Sequence, residues 1–167
     1  MSLRIEHRIG VAASADVIWE VISDLEGWRA WNPLYPEATG KLAIGGTLKI
    51  TEAVPGRPQR VITPTVVDWE PLAQILWRED GGFMSRTVRY LEIESLSETG
   101  CIFASGAFFH GMLGEGAAKG ARRNIQQGFD ALGEAVKRVA EQRWREQSDP
   151  AERGGQGAGS SQMSGCA

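Results

Sequence analysis

The segment MLGEGAAKGARRNIQQGFDALGEAVKRVAEQRWR, residues 112–145, decides the fold of this chain. It predicts one long, uncapped helix, because apolar and small residues recur at spacings of three and four, the period of one helix face. The positions on that face are Ala117, Ala121, Ile125, Gly128, Leu132, Val136 and Val139. Such a helix has to lie against a sheet. Since Ala and Gly dominate the first half of the face, it either packs very closely or leaves space for a binding pocket.

The rest of the chain alternates in the manner of strands, in an α+β order. Strands are predicted over 4–11, 37–44, 47–54, 60–69, 73–79, 84–94 and 101–110. Ser14 followed by Asp16 predicts the start of a helix over 15–23, and a second short helix is expected over 25–31. Pro64 inside the fourth strand implies a sheet edge or a bulge.

Composition limits the classes of function. The chain has 167 residues, enough for one domain, here 1–146. Its 18 basic and 21 acidic residues leave no dominant basic surface, so a nucleic acid is not an expected partner. From 147 to 167 the sequence is rich in Gly and Ser, and we expect a disordered tail.

No targeting or covalent framework is visible. The longest apolar runs are a few residues long, which excludes integral membrane association, and the alternating start MSLRIEHRI is unlike a signal peptide. Cys101 and Cys166 do not form a disulfide framework. The sequence therefore predicts a cytoplasmic protein, monomeric or weakly dimeric.

Four stretches carry a resemblance to a known superfamily. They are ASADVIWEVISDLEGWRAWNP (13–33), the hairpin with Gly40, Gly46 and Leu48, the turn and strand with Pro71 and Trp77, and Gly111 followed by GFDALGEAVKRVAE (128–141). In this order they resemble the START-like (SRPBCC) superfamily, which includes the polyketide cyclase/dehydrase group. The resemblance implies a helix-grip fold: a curved seven-stranded antiparallel sheet wrapped around the C-terminal helix, with two short helices after the first strand and a ligand cavity inside.

Alternation and the resemblance together suggest which side chains face that cavity. In the last strand the inward set is Phe103, Ser105, Ala107 and Phe109; in the fifth, Trp77 and Glu79 share a face. The sixth strand is ambiguous. Arg86, Val88 and Tyr90 alternate one way, whereas Leu91 and Ile93 favour the other, and a bulge near Tyr90 would reconcile them.

The full set of expected ligand contacts combines these strands with the loop after the short helices and with the terminal helix. It consists of Trp28, Trp31, Asn32, Tyr35, Trp77, Glu79, Arg86, Val88, Tyr90, Phe103, Ser105, Ala107, Phe109, Ala117, Ala121, Asn124, Ile125 and Gly128. Each polar member has a structural alternative: Asn32 can stabilise its turn, and Asn124 can bond a nearby loop.

Candidates for proton transfer are few. Glu79, Arg86 and Tyr90 are the catalytic candidates, but Glu79 and Arg86 could form an ion pair and Tyr90 could be a core aromatic. Many relatives carry a His near the position of Val88, so its absence weakens an inherited catalytic role. His7 and His110 have no ligand-spaced partners, so neither a metal site nor a cofactor is predicted.

Three functions are compatible with these features. The first is a binding module for a hydrophobic or aromatic small molecule such as a lipid, a quinone or a polyketide-like compound. The second is an enzyme, a cyclase or dehydratase on a polyketide-like chain. The third is an interaction protein resembling chaperone activators. The scarcity of inward titratable groups favours the first.

Overall fold

The computed structural model describes residues 2–149, as eight strands and three α-helices. The strands are β1 (Ser2–Val11), β2 (Glu37–Gly40), β3 (Leu48–Glu52), β4 (Arg60–Ile62), β5 (Thr65–Glu70), β6 (Gln74–Asp80), β7 (Arg86–Ser97) and β8 (Gly100–His110). The helices are α1 (Ala15–Ser23), α2 (Met112–Gly120) and α3 (Arg122–Ser148), and a 3₁₀ helix covers Glu26–Ala30. The helix-grip class predicted from the sequence is confirmed, with α3 packed on β1 and β8.

The strands form two antiparallel sheets. The larger has the order β1-β8-β7-β6-β5 and the smaller the order β2-β3-β4. Backbone bonds join the two: the N–H of Leu48 donates to the carbonyl of Pro64 over 2.9 Å, and that of Val66 to Gly46 over 2.8 Å. Together the sheets form a continuous wall around the helices.

One predicted strand is divided in the structure. The segment 60–69 was predicted as one strand, but β4 ends at Ile62 and β5 begins at Thr65. Pro64 lies between them, and it has no N–H for a sheet ladder. The chain therefore leaves the small sheet and enters the large one at this proline, which gives eight strands instead of seven.

Buried side chains explain the elements after β1. Ser14 caps α1, since its Oγ accepts the N–H of Val17 over 3.4 Å. The helix buries Val17, Ile18, Val21 and Ile22, at the three- and four-residue spacing of one helix face. Contacts of α1 with α3 and β7 close one end of the wrapped sheet.

The C-terminal helix is not continuous. Ala121 separates α2 from α3 with φ −107° and ψ 8°, outside helical values. Three glycines in α2 lower its helix propensity by about 1 kcal/mol each relative to Ala, which weakens this part of the segment. The single helix predicted over 112–145 is thus two helices with a kink between them.

The first turn of α2 is tied to the β6–β7 turn. Its donors need partners outside the helix, and the N–H groups of Leu113 and Gly114 donate to the carbonyl of Met84 over 3.2 and 3.4 Å. Gly111 precedes the helix with φ +83°, and a Cβ there would overlap the Met84 carbonyl. Only glycine fits this approach.

At its other end α3 continues through Ser148, two residues into the segment predicted to be a tail. The remainder of that prediction, from 150 onward, and Cys166 lie outside the described residues. Cys101 is buried as a free thiol. No helix within 2–149 is both long and apolar enough to cross a membrane.

Candidate ligand cavity

A cavity of about 550 Å³ lies between the helices and the ends of the strands. Its walls are α2 and the first turns of α3 on one side, β6, β7 and β8 on another, and the β3–β4 turn on the third. The described lining residues are Leu34, Glu52, Val54, Arg57, Pro58, Gln59, Arg60, Glu79, Gly81, Ser85, Thr87, Arg89, Phe109, Gly114, Ala117, Ala118, Ala121, Ile125 and Phe129. This volume is in the usual range for small-molecule sites.

The two sides of the cavity differ in polarity. The helix side is apolar and carries Ala117, Ala118, Ala121, Ile125 and Phe129. The strand side carries a closed ring of four charged side chains, Arg89, Glu52, Arg60 and Glu79, in which acid and base alternate. A guest in this cavity would contact both kinds of surface.

Every neighbouring pair in the ring is in hydrogen-bond contact. Arg89 reaches Glu52 through Nε over 2.8 Å and Glu79 through Nη1 over 2.8 Å. Arg60 reaches Glu52 through Nε over 3.0 Å and Glu79 through Nη1 over 2.7 Å. Each carboxylate is therefore held by two guanidinium groups, the arrangement that makes buried charge tolerable.

The ring is graded in exposure from interior to mouth. The side chains of Arg89 and Glu52 are 4% and 7% exposed, that of Glu79 is 20% exposed and that of Arg60 is 51% exposed. Glu52 and Arg60 belong to the small sheet, whereas Glu79 and Arg89 belong to the large one. The ring therefore joins the two sheets through side chains.

Charge pairing keeps the ring ionised. Burial by itself would raise the pKa of Glu79, but the hydrogen bond from Arg60 and the charge of Arg89 outweigh it, and the pKa lies below its ordinary value. Burial would lower the pKa of Arg89, but the charge of Glu52 more than compensates and raises it. Glu79 is therefore an anion near neutral pH and not a proton donor.

Five of the residues predicted as ligand contacts line the cavity. They are Glu79, Phe109, Ala117, Ala121 and Ile125. The expected pairing of Glu79 with Arg86 is wrong. Glu79 bonds Arg60 and Arg89, while the Nε of Arg86 bonds Asp80 over 3.1 Å on the outside of the sheet. The two residues lie on opposite faces, so this ion pair cannot form.

The inward face of β7 is the one that Leu91 and Ile93 favoured. Thr87, Arg89 and Leu91 face the interior, opposite Phe109, Ala107 and Ser105 of β8. No bulge occurs near Tyr90, because the register runs without a shift from Arg86 to Ser95. Arg86, Val88 and Tyr90 therefore lie on the outer face, away from the cavity.

Tyr90 belongs to a cluster on that outer face. Its hydroxyl donates to Glu6 and accepts the Nε–H of Arg4 over 3.0 Å. Burial and the bond to Glu6 raise the pKa of Tyr90. The aromatic ring of Tyr90 covers Gly106, where a Cβ would lie 2.5 Å from the Tyr90 oxygen. The three catalytic candidates are thus not brought together, since only Glu79 reaches the cavity.

Four aromatic residues predicted as ligand contacts, Trp28, Trp31, Tyr35 and Trp77, pack in the core instead. Trp28 is 1% exposed, and its Nε1–H donates to the carbonyl of Ile22 over 3.1 Å. Trp28, Tyr35 and Trp77 contact one another with ring centroids 5.6 to 6.4 Å apart, Trp28 stacked on Tyr35 and Tyr35 edge-on to Trp77. Trp31 packs at the edge of the same core. These four aromatics support the fold and do not line the cavity.

The remaining predicted contacts hold the structure around the cavity. Asn32 accepts the N–H groups of Leu34 and Tyr35 over 3.1 and 2.8 Å, as expected for a turn residue. Asn124 donates to the carbonyl of Pro55 over 2.8 Å. A Cβ at Gly128 would lie 2.9 Å from Leu34, so this glycine marks close packing.

On β8 the predicted inward set is buried, but only one member borders the cavity. Phe103, Ser105 and Ala107 are 0% exposed beneath the helices, whereas Phe109 lines the cavity. The Ser105 hydroxyl has no hydrogen-bond partner among the described residues. The inward half of the strand thus serves the core for most of its length.

Three of the four charged residues of the ring were not predicted to line the cavity. Glu52, Arg60 and Arg89 were not candidates, because charged residues are expected on the outside of a strand. The available signal was the apolar pair Leu91 and Ile93, which sets the phase of β7 and so places Arg89 inward. Arg89 then required buried carboxylates nearby. Within the described chain, no group of acidic, His and Cys side chains could hold a metal ion.

The wrapped sheet, the C-terminal helix and the cavity between them define the class of protein: a helix-grip protein with an internal cavity of small-molecule size. Residues 2–137 match the sequence profile of the family described as "Polyketide cyclase / dehydrase and lipid transport". The chain belongs to this family. No curated protein matches the sequence at a significant level.

Solved structures show the same fold. The chain is similar to the di-domain aromatase/cyclase StfQ from the steffimycin biosynthetic pathway (TM-score 0.66, 14% identity, 86% of this chain and 52% of that one). It thus spans about half the length of that protein. It is also similar to norcoclaurine synthase from Thalictrum flavum (TM-score 0.65, 17% identity, 86% and 96%). A third similar structure is the START superfamily protein from Mycobacterium smegmatis (TM-score 0.60, 17% identity, 87% and 99%).

Proposed function

We propose that this protein binds a hydrophobic or aromatic small molecule in the cavity between the sheet and the C-terminal helices. The observation that carries the proposal is the cavity itself, about 550 Å³ in volume with one apolar wall. Family membership supports it, because the family description includes lipid transport. We place the protein in the cytoplasm as a monomer or weak homodimer, in keeping with the expectations from sequence.

The lining favours binding over proton-transfer chemistry. Glu79 has a lowered pKa and two guanidinium partners, so it is a poor general acid or base near neutral pH. Tyr90 and Arg86 lie on the other face of β7. The cavity therefore offers shape and fixed charge to a guest, and these are the properties of a receptor.

One observation favours a second candidate, a cyclase or dehydratase acting on a polyketide-like chain. Arg60 and Arg89 each use three N–H groups within the ring, and a guanidinium carries five. The unused donors could stabilise an enolate oxygen that develops during ring closure. Adding the protein to a polyketide synthase reaction would test this, because a binding protein leaves the product profile unchanged.

A cavity-filling variant tests the binding proposal. Ala117 is exposed and lines the cavity, so Ala117→Phe should fill part of it without disturbing the core. We expect the affinity for the neutral fluorophore N-phenyl-1-naphthylamine to fall about tenfold, equivalent to roughly 1.4 kcal/mol. Fluorescence titration measures the affinity, and thermal unfolding checks that the variant is folded.

The matched control is Ala30→Phe. Ala30 is also exposed but lies on the 3₁₀ helix, outside the cavity lining. This variant should bind the fluorophore like the wild-type protein. If Ala117→Phe binds as tightly as Ala30→Phe, the guest does not occupy this cavity and the proposal fails.

A further inference from the structure

The charges that line the cavity do not balance. Three guanidinium groups, those of Arg57, Arg60 and Arg89, face two carboxylates, those of Glu52 and Glu79. Within the ring, both carboxylates are paired with two of the arginines, Arg60 and Arg89. Arg57 remains, giving the lining a net charge of +1 (three positive minus two negative).

Arg57 lies on the β3–β4 turn and has no carboxylate partner within residues 2–149. Its backbone N–H donates to the carbonyl of Val54 over 3.1 Å, which fixes the turn. Gly56 before it has φ +75°, and a Cβ there would lie 2.6 Å from the Asn124 amide nitrogen. Asn124 in turn bonds Pro55. The turn is therefore held against α3, and Arg57 is kept at the cavity mouth.

The ring offers a guest hydrogen-bond donors and few acceptors. Glu52 Oε1 accepts from both Arg60 and Arg89, and so does Glu79 Oε2. The other oxygen of each carboxylate accepts one further bond. Arg60, half exposed, keeps two unused N–H groups near the mouth. A guest group that meets this wall should be an oxygen acceptor, and an anionic one gains more than a neutral one.

The opposite wall restricts the rest of the guest. Ala117, Ala121, Ile125 and Phe129 on the helices and Phe109 on β8 offer only apolar side chains. A guest charged along its whole length would leave charge unpaired against this wall, which is costly. One end of the guest should therefore be apolar.

We propose that the cavity binds an amphipathic monoanion, whose single carboxylate, sulfonate or phenolate group lies between Arg57 and Arg60 and whose apolar body lies against α2 and α3. This inference rests on the proposed function and narrows it to one class of ligand. It assigns Arg57 as the residue that selects the charge of the guest.

A matched pair of probes tests the charge preference. 8-Anilinonaphthalene-1-sulfonate and N-phenyl-1-naphthylamine share their aromatic rings and differ by one sulfonate. Fluorescence titration gives the affinity of each probe, and binding that Ala117→Phe weakens is assigned to the cavity. The wild-type protein should bind the sulfonate more tightly than the neutral probe.

Variants of Arg57 should change only the affinity for the sulfonate. We expect Arg57→Gln to lower it about threefold and Arg57→Glu about tenfold, as for the loss and reversal of one partly exposed charge interaction. Affinity for the neutral probe should change less than about twofold in both variants, since the removed charge has no partner on that probe. Raising the salt from about 0.1 M to about 1 M should reduce the difference in sulfonate affinity between the wild-type protein and the Arg57 variants. The reason is that the Debye length shortens from about 10 to about 3 Å.

Arg29→Gln is the control, since Arg29 is exposed on the 3₁₀ helix and outside the lining. It removes the same charge and should leave both affinities unchanged. Equal losses for both probes in the Arg57 variants, or no loss for the sulfonate, would overturn the inference. If Ala117→Phe still weakens the binding of the neutral probe, the proposed function stands even though the inference about Arg57 fails. If neither probe responds to Ala117→Phe, both conclusions fail.

Discussion

Arg89 shows how a single buried side chain organises the cavity wall. It lies on the inward face of β7 between Thr87 and Leu91 and is almost fully buried. Its Nε and Nη2 contact Glu52 and its Nη1 contacts Glu79, so the charge is compensated on two sides. Removing it would leave a buried carboxylate, Glu52, and a partly buried one, Glu79, with one guanidinium between them.

Arg89→Met should therefore destabilise the protein strongly. Breaking a buried ion pair by removing one partner typically costs about 3–5 kcal/mol, because the remaining charge is left uncompensated. Urea unfolding followed by circular dichroism measures the change in free energy of unfolding, provided the slope with denaturant stays constant. The expected result is a much lower midpoint.

Arg78→Met provides the comparison. Arg78 lies on β6 and pairs with Asp80 over 3.2 Å, with side chains 40% and 56% exposed. Exposed pairs contribute about 0–1 kcal/mol, so this variant should stay close to wild type. Equal losses in Arg78→Met and Arg89→Met would mean that the ring contributes no more than a surface pair.

The sequence predicted some of the individual residues that line the cavity and missed others, for a physical reason. Ala117, Ala121 and Ile125 follow from helical periodicity, which places them on one face of the helical segment. Arg89 was missed because a charged residue inside a strand contradicts the usual alternation. Its partners Glu52 and Glu79 are distant along the chain, and no local pattern links them.

Among the three α-helices, α2 has the highest proportion of glycine and therefore the weakest helix propensity. It is nine residues long, and three of those residues are glycines. Its first turn depends on the carbonyl of Met84, and its last turn ends at the kink of Ala121. Since α2 also forms one wall of the cavity, local opening of this helix would give a guest a route in.

Stiffening α2 should slow the exchange of a guest. No heavy atom lies within 4 Å of a Cβ placed at Gly116 or Gly120, so alanine fits at both positions. Each substitution should stabilise the helix by about 0.4–1 kcal/mol. The double variant Gly116→Ala/Gly120→Ala should then release N-phenyl-1-naphthylamine more slowly in stopped-flow displacement.

Gly10→Ala is the matched control. Gly10 also has open space around its Cβ position, but it lies on β1, away from the cavity lining. It should leave the release rate unchanged. A double variant that is stabilised yet releases the probe at the wild-type rate would show that guests do not pass through α2.

The start of α2 was predictable, but its end was not. Periodicity over 112–145 located the helical segment and its buried face. The kink falls at Ala121, directly after Gly120. Alanine has the highest helix propensity, and Gly120 is one of three glycines in α2, so the sequence did not single out this position. Packing of α2 on β8 and of α3 on β1 sets it, and this packing is a tertiary effect.

For the molecule as a whole, the ring predicts sensitivity to acid. The pKa of Glu79 is lowered in the folded state, so its contribution to stability is present above the unfolded value, near 4.5, and is lost as the pH falls through the folded value. The free energy of unfolding should therefore drop below about pH 4.5. Burial by itself would raise the pKa of Glu6 and of Glu141, but their hydrogen bonds outweigh it, and both pKa values are lowered. These two groups therefore add to the loss of stability in acid.

Glu79→Gln should separate this contribution from the others. The variant loses the ion pairs and is less stable near neutral pH, but its stability should fall less steeply in acid, because one titrating group is gone. Urea midpoints collected between about pH 7 and about pH 3 measure both slopes. Parallel curves for the two proteins would show that Glu79 is not the group that titrates.

The overall fold was accessible from sequence because four stretches, from 13–33 to 128–141, occur in the order typical of one superfamily. The division into two sheets was not. It depends on Pro64, which the sequence marked only as an edge or a bulge, and on the backbone bonds of Val66 with Gly45 and Gly46 that close the wall. The pairing of sheets is a long-range property, and alternation within each strand carries no information about it.

The ion ring also has a consequence for how the chain folds. Glu52 and Arg60 lie on the β3–β4 hairpin, and Glu79 and Arg89 lie on the β6–β7 hairpin. Either hairpin formed alone would therefore carry only two of the four charged side chains of the ring. Desolvating that half before its counterpart arrives is unfavourable, and the last steps of assembly should therefore be concerted. The three-stranded sheet is expected to have no melting transition of its own, and amide protons of β3 should exchange only when the entire molecule opens.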